Sequence, residues 1–159
     1  MKLDDRLYLV GGGAWGLSHT FDCNVYVIDT GAGLVMVDSG AGLGVEAILA
    51  NMARDGLDIL KKPIRWLLLT HSHADHAGGA YLLRQRFQCE VVIGEPEADI
   101  VEQGGETDLK LDVAKRSGFY SPDYKFNNCE VTVRLSHEDE LNCAGLKVRA
   151  LLVPGHSPG

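Results

Sequence analysis

Basic residues are scarce in this chain. Its 159 residues include 15 Lys and Arg against 22 Asp and Glu, and the formal net charge is −7. Because proteins gain much of their affinity for nucleic acids by neutralising phosphates with Lys and Arg, this balance argues against a nucleic-acid partner. The composition favours a protein that acts on a small molecule.

Long apolar runs are also absent. No stretch approaches the roughly 18 continuous apolar residues that a membrane-spanning helix requires. Residues 1–6, Met-Lys-Leu-Asp-Asp-Arg, carry charges where a signal peptide would have a long apolar segment. The sequence therefore predicts a cytoplasmic protein without a membrane partner. A hydrophobic fraction of 45% over 159 residues is ordinary for one globular domain.

Cysteine is sparse and shows no metal-binding or redox spacing. The four cysteines are Cys23, Cys89, Cys129 and Cys143, and no two of them form a Cys-x-x-Cys pair. In a chain predicted to be cytoplasmic, such cysteines are expected to be reduced and mostly buried.

Histidine, in contrast, is concentrated in one place. Three of the six histidines lie in His71-Ser72-His73-Ala74-Asp75-His76, directly after the apolar residues 66–70. Each imidazole nitrogen needs a hydrogen-bond partner or a metal, so a core seldom holds histidines this densely. We predict that His71 and His73 face one cation, and that Asp75 and His76 face a second. These ligands suit zinc, with iron or manganese as alternatives.

A second apolar run also delivers a histidine into a turn. Residues 151–153 are followed by Pro154-Gly155-His156. We predict that His156 joins His71 and His73 on one ion, with the fourth position left for water. Such an ion lowers the pKa of water from about 15.7 towards 7, and the zinc-bound hydroxide can attack a carbonyl carbon. Asp75 is the candidate catalytic residue, because it can orient this hydroxide.

Four segments together resemble the metallo-β-lactamase-fold hydrolases. Residues 24–29 look like the family's early strand, and 34–40 look like its strand followed by Asp-Ser-Gly. Residues 71–76 match the His-x-His-x-Asp-His signature, and 154–156 match its Pro-Gly-His motif. The resemblance implies an α/β fold, the αβ/βα four-layer sandwich, and an enzyme that binds one or two metal ions. These motifs are specific for the superfamily and weakly specific for any substrate.

The chain also departs from the family pattern. Family members supply, after Pro-Gly-His, an aspartate that bridges two metals and a last histidine, whereas this chain ends at Gly159. We therefore expect residues 1–159 to be one metallo-β-lactamase-like domain truncated at its C-terminus, mainly the N-terminal half of the sandwich. The second metal site should be weak with Asp75 and His76 alone, and the activity belongs to the whole enzyme rather than to these residues by themselves.

Several reactions remain open on these ligands. The first is hydrolysis of an ester, thioester, lactone or lactam. A metal-dependent phosphodiesterase or nuclease is disfavoured by the acidic composition, and an iron-dependent sulfur dioxygenase would use the same ligands. A secreted β-lactamase is disfavoured because no leader is visible.

Other polar residues are weighed against ordinary structural roles. Asp38 follows a strand and is predicted to hold a ligand imidazole in its correct tautomer. His19 and His137 have polar neighbours and are predicted to be surface residues.

Periodicity predicts alternating strands and helices. For residues 109–113 the pattern fits either an exposed strand or an irregular helix. The predicted helices cover 44–54, a segment that opens at Gly78, and 96–103; the predicted strands cover 7–10, 23–29, 34–38, 64–70, 90–93, 130–135 and 146–153.

A half sandwich should expose the sheet face that its partner sheet would cover. We therefore expect the isolated chain to be prone to aggregation, to self-associate through that face as a homo-oligomer, or to exist only alongside its missing half. The residues predicted for that face are Val25, Val27, Val35, Val37, Leu67, Leu69, Leu151 and Val153.

Overall fold

A computed structural model describes all 159 residues, with a mixed α/β architecture as predicted. A short 3-10 turn spans Gly13–Trp15. The strands are β1 (Leu7–Gly11), β2 (Val25–Asp29), β3 (Leu34–Val37), β4 (Ile64–Leu68), β5 (Glu90–Gly94), β6 (Val133–Leu135), β7 (Glu140–Cys143) and β8 (Leu146–Arg149). The helices are α1 (Val45–Arg54), α2 (Ala74–Ala77), α3 (Ala80–Phe87), α4 (Glu95–Gln103) and α5 (Leu111–Arg116).

One sheet of six strands organises the chain, in the order β1-β2-β3-β4-β5-β6. The first three strands pair antiparallel, and β3 to β6 pair parallel. Strands β7 and β8 form a separate hairpin. Because parallel strands end at the same edge, the segments that follow β3, β4 and β5 meet there, where open α/β sheets usually place their sites.

Helix α1 shows how the sequence pattern becomes packing. Val45, Ile48, Leu49 and Met52 recur at helical spacing, and none is more than 6% exposed. The helix ends before Gly56, whose φ of +85° lies in the left-handed region that glycine tolerates best. The predicted helices over 44–54 and 96–103 are confirmed, and residues 111–116 form a helix rather than a strand.

The main core lies between the sheet and α1, α3 and α4. Val25, Val27, Leu67 and Leu69 belong to this core, so their assignment to an open face of the sheet was wrong. In a strand, alternate side chains point to opposite faces. The opposite face therefore carries the alternate residues of β2 and β4 and the residues that pair with them on β3 and β5. These are Tyr26, Ile28, Val35, Val37, Trp66, Leu68 and Val92.

That second face is partly covered by the C-terminal segment. Leu68, Val92 and Leu135 face Val148 and Leu152 across a cavity of about 360 Å³. Residues 150–153 are not a strand, so the predicted strand over 146–153 stops at Arg149. Leu151 and Val153 are 61% and 73% exposed. Self-association through this side of the molecule stays a prediction.

The structure also bears on the expectations for the cysteines and for membrane-spanning helices. All four cysteines are free, and Cys89, Cys129 and Cys143 are buried while Cys23 is half-buried. None of the helices combines the length and hydropathy that crossing a membrane requires.

Candidate metal centre

The first histidine turn, residues 71–76, is built at the end of β4. Its chain reverses at His73, whose carbonyl oxygen accepts hydrogen bonds from the backbone N–H groups of His76 and Ala77 at 3.0 and 2.9 Å. The second half of this segment begins the short helix α2, which the sequence patterns did not predict. A Cβ atom on Gly79 would lie 2.3 Å from the backbone oxygen of Ser39, so glycine lets the turn pack directly against the segment after β3.

The structure brings three of the predicted ligands together. One ligand atom from each of His71, His73 and His156 lies within 4.8 Å of the other two. The ring centroids are 4.7 Å apart for His71 and His73, 5.0 Å for His71 and His156, and 4.6 Å for His73 and His156. The segments 71–76 and 154–156 therefore come together as the sequence predicted, although the second follows no strand. That this cluster binds a metal stays a prediction.

The buried nitrogen of His71 tests whether the cluster fits an ion. His71 is 8% exposed, and its Nε2 has no hydrogen-bond partner, whereas Thr70 Oγ1 lies 3.0 Å from its Nδ1. Burial, with the neighbouring His76 and His73, lowers the pKa of His71 to about 4. His71 is therefore a neutral imidazole with an unpartnered buried nitrogen, and it lies beside the imidazoles of His73 and His156. Together the three form a donor set that fits a divalent metal ion.

Asp38 holds the ring of His76. Its Oδ2 lies 2.8 Å from His76 Nδ1, and its Oδ1 accepts a hydrogen bond from the backbone N–H of Thr70 at 2.8 Å. Burial opposes the charge on His76, but hydrogen bonds to Asp38, Asp75 and Cys23 outweigh it and raise the pKa of His76. This agrees with the role predicted for Asp38, which is 3% exposed.

Asp75 and His76 are spaced like neighbouring ligands. Asp75 Oδ2 lies 3.3 Å from His76 Nε2. With metal–ligand bonds of about 2.0–2.1 Å, the edge of a tetrahedral site is about 3.3 Å. The pair fits two positions around a second ion, as the sequence predicted, and its metal binding is likewise a prediction.

Cys23 is a neighbour that sequence reasoning did not connect with the site. Its sulfur lies within 4.8 Å of ligand atoms of Asp38 and His76, so these three also form a potential metal-binding group. Burial raises the pKa of the Cys23 thiol, although its hydrogen bond to His76 opposes this. A lone cysteine before a strand gives no spacing signal that could have revealed this placement.

The second histidine turn, residues 154–159, is held differently. His156 is exposed and belongs to no strand. The carboxylate of Glu97, in α4, accepts a hydrogen bond from the backbone N–H of Gly159 at 3.0 Å and also contacts Ser72 in the first histidine turn. Sequence reasoning missed Glu97, because an acidic residue in the first turn of a helix is ordinary.

An apolar cavity of about 430 Å³ opens beside the histidines. Tyr120 in its wall is 4% exposed and stacks on Tyr124 with ring centroids 4.4 Å apart. Its hydroxyl has no hydrogen-bond partner, and burial raises its pKa above the usual range. Sequence reasoning assigned Tyr120 no role. The cavity is lined by His73, Ala74, Asp75, Leu109, Lys110, Leu111, Val113, Ala114, Ser117, Phe119 and Tyr120.

The two remaining histidines lie outside the cluster. His137 is exposed, as predicted, and its Nδ1 accepts a hydrogen bond from the backbone N–H of Leu152 at 3.2 Å. His19 is half-buried rather than fully on the surface, because it packs against Phe21 with ring centroids 5.1 Å apart.

The fold is shared with metallo-β-lactamases. BJP-1, a subclass B3 metallo-β-lactamase of Bradyrhizobium japonicum, matches all of this chain with a TM-score of 0.79 and 26% sequence identity. Residues 20–159 also match the family model described as the metallo-beta-lactamase superfamily. The chain belongs to this superfamily.

Curated relatives extend the comparison. A protein described as a probable metallo-hydrolase in Methanocaldococcus jannaschii is 26% identical over 140 residues, which is 87% of this chain and 60% of the relative. An atrochrysone carboxyl ACP thioesterase of Passalora fulva is 31% identical over 134 residues, which is 84% of this chain and 31% of the relative. The chain also spans 53% of BJP-1, so it corresponds to about half of that protein.

Proposed function

We propose that the protein is a metal-dependent hydrolase whose metal is held by His71, His73 and His156. One observation carries this proposal most strongly. His71 Nε2 is buried without a hydrogen-bond partner inside a cluster of three imidazoles whose ligand atoms lie within 4.8 Å of one another. Leaving such a nitrogen unpaired costs free energy that a bound ion would recover.

Zinc is the ion that we propose. Imidazole nitrogens suit it, and a carboxylate and a further imidazole stand beside them for a second ion. When bound, zinc supplies a Lewis acid and lowers the pKa of water to about 7, so that a nucleophile exists at neutral pH. Iron and manganese are the alternative ions, and metal analysis distinguishes them.

Asp75 is the group that we propose to orient the nucleophile and accept its proton. It lines the cavity next to His73, and its Oδ2 is 3.3 Å from His76 Nε2. Burial would raise the pKa of Asp75, but the hydrogen bond and charge of His76, together with a backbone hydrogen bond and the charge of His71, outweigh burial and the pKa lies below its usual value. Asp75 is therefore a carboxylate at neutral pH, able to take a proton at Oδ or to act as a ligand of a second ion.

The substrate class that we propose is an acyl compound, with a thioester favoured over an ester, lactone or lactam. The cavity beside Asp75 is lined mainly by apolar side chains, including Leu109, Leu111 and Phe119, which suits an acyl chain. A thioesterase is among the relatives, which supports the same choice. The net charge of −7 disfavours the phosphodiesterase or nuclease alternative, because no excess of positive charge attracts phosphates.

A substrate panel tests this function. The metal-free protein is loaded with zinc, iron or manganese, and is assayed on a chromogenic thioester, ester, lactone, lactam and phosphodiester. We expect zinc-dependent thioester hydrolysis that is lost in His73→Ala and kept in His137→Ala, since His137 lies outside the cluster. Turnover that survives chelation contradicts the proposal. Phosphodiester cleavage, or oxygen consumption with an iron-loaded protein, would favour the alternative activities.

We also propose that the protein works in a reducing compartment, the cytoplasm. All four cysteines are unpaired, and three of them are buried. Fractionation of cells that produce the protein tests this; recovery from an oxidising compartment would contradict it.

A further inference from the structure

One buried carboxylate lies between the two histidine turns. Glu97 is the third residue of α4, which begins directly after β5. The first turn of α4 therefore sits at the same sheet edge as the segments after β3 and β4. Glu97 is 1% exposed, although charged residues are seldom buried unless they are paired or fully hydrogen-bonded.

Its two oxygens are divided between the turns. Oε2 accepts hydrogen bonds from the backbone N–H of Ser72 at 3.1 Å and from the Ser72 hydroxyl at 2.5 Å, and Ser72 lies between His71 and His73. Oε1 accepts from the backbone N–H of Gly159 at 3.0 Å. Ser157, next to His156, lies close enough to this carboxylate to help lower its pKa.

Glu97 takes part in none of the salt bridges of the structure, so no Lys, Arg or His side chain neutralises its carboxylate. Burial would raise the pKa of this carboxyl, but hydrogen bonds from Ser157, Ser72 and Gly159 outweigh burial and lower it. The charge is therefore stabilised by donors that all belong to the two histidine turns.

The second histidine turn has little else to hold it. Within residues 154–159, the only backbone–backbone hydrogen bond outside regular secondary structure joins Gly155 N–H to the carbonyl oxygen of Ser157. Glu97 is the one side chain from outside the segment that hydrogen-bonds to it. His156, the ligand in this turn, is exposed and packs on no strand.

We propose that Glu97 is a positioning residue that ties the two histidine turns together, so that His156 meets His71 and His73 at the spacing a metal requires. It makes no hydrogen bond to His71, His73 or His156 and acts through Ser72 and Gly159. The inference rests on the proposed metal site, but it concerns how the ligands are held rather than which reaction follows. Partners that orient metal ligands typically contribute about 10- to 100-fold in metal affinity.

Cobalt binding to the metal-free protein tests the role without any substrate. Cobalt(II) is titrated into the wild type, Glu97→Gln and the matched control Glu95→Gln, and the visible absorption reports ligand geometry. Glu95 lies in the same helical turn and is exposed, with its carboxylate 3.6 Å from Arg134. We expect Glu97→Gln to weaken cobalt affinity by about 10- to 100-fold and to change the spectrum. Glu95→Gln should stay within about twofold of wild type, as expected of an exposed ion pair.

A purely structural role makes a different prediction. Glu97→Gln would then lower the melting temperature of the metal-free protein while the folded fraction kept the wild-type cobalt affinity and spectrum, and this result overturns the proposal. Ser72→Ala is the second variant, because it removes only the hydroxyl donor to Oε2 and spares the fold if Glu97→Gln does not fold. It should weaken cobalt binding by a few fold, and unchanged affinity in Ser72→Ala would overturn the proposal.

The outcomes separate this inference from the proposed function. If the wild type binds cobalt but hydrolyses no acyl substrate, the proposed function is wrong. The cobalt affinities of the Glu97→Gln and Ser72→Ala variants then still decide the role of Glu97. A wild type that binds no cobalt removes both.

Discussion

The two histidine turns present similar sequence patterns but are supported in opposite ways. In each, an apolar run leads to a histidine, yet Leu69 before the first turn is 6% exposed and Val153 before the second is 73% exposed. The first turn is anchored in the core by Asp38 and Thr70. The second is anchored chiefly by Glu97.

The difference teaches that the ligands are preorganised unequally. His71 and His73 are fixed by the same packing that stabilises the sheet, so their positions cannot change without cost to the core. The position of His156 depends on a few polar contacts. Metal binding should therefore be sensitive to both turns, whereas stability of the metal-free fold should be sensitive mainly to the first.

The largest expected effect is on stability. Leu69→Ala removes a buried side chain from the main core and should lower the free energy of unfolding by about 2–5 kcal/mol. Val153→Ala should change it by less than about 0.5 kcal/mol, because the side chain is exposed. Chemical denaturation of the two metal-free variants measures both values. Equal losses would show that the second turn is as firmly packed as the first.

The next effect is on metal affinity. His73→Ala removes a ligand and should weaken zinc binding by more than about 100-fold, since loss of a ligand costs more than loss of a residue that only orients one. His156→Ala should weaken it similarly, although His156 is exposed. Competition with a chromophoric chelator gives the affinities, and His137→Ala is the control. A His156→Ala variant with wild-type affinity would show that the second turn supplies no ligand.

Asp38→Asn should have an intermediate effect on the first turn. The amide cannot provide the charge that holds His76 Nδ1 at 2.8 Å, so affinity for a second ion should fall by about 10- to 100-fold. The metal-free protein should also lose about 1–3 kcal/mol, because a buried hydrogen-bond network is disturbed. Calorimetric titration and thermal unfolding follow the two changes. If neither the affinity for a second ion nor the stability changed, Asp38 would not support the site.

A further effect is a pH dependence that arises in the first turn. The pKa of His71 is lowered to about 4, so the unfolded chain takes up its proton near pH 6.5 while the folded protein resists it. Stability of the metal-free protein should therefore fall as the pH decreases from about 6.5 to 4. His76 has the opposite sign, because its pKa is raised and its contribution is lost above pH 6.5. His71→Ala should flatten the acid limb in denaturation curves; an unchanged limb contradicts the assignment.

Much of this organisation could be predicted from the sequence, but only where the pattern is unambiguous. The helical spacing of Val45, Ile48, Leu49 and Met52 defined α1, and the histidine motifs predicted the cluster that the structure brings together. The faces of the sheet were not predictable in the same way. In strands such as Val25–Asp29 and Leu34–Val37, the residues that point to either face of the sheet are apolar. The pattern therefore does not indicate which face packs against the helices.

The residues missed by sequence reasoning act across long separations. Glu97 contacts Ser72 and Gly159, which are 25 and 62 residues away, and Tyr120 lines the cavity beside Asp75, 45 residues earlier in the chain. No local periodicity records such contacts. The exposed run 151–153 shows the converse error, since its apolar sequence predicts a strand that the structure does not form.

X-ray absorption on the protein loaded with one equivalent of zinc tests the central claim most directly. The account predicts three imidazole nitrogens at about 2.0–2.1 Å and one further light-atom ligand, with the imidazole scattering reduced in His156→Ala. Sulfur at about 2.3 Å would place the ion at Cys23 instead, and an imidazole count unchanged by His156→Ala would show that the two turns do not share a metal.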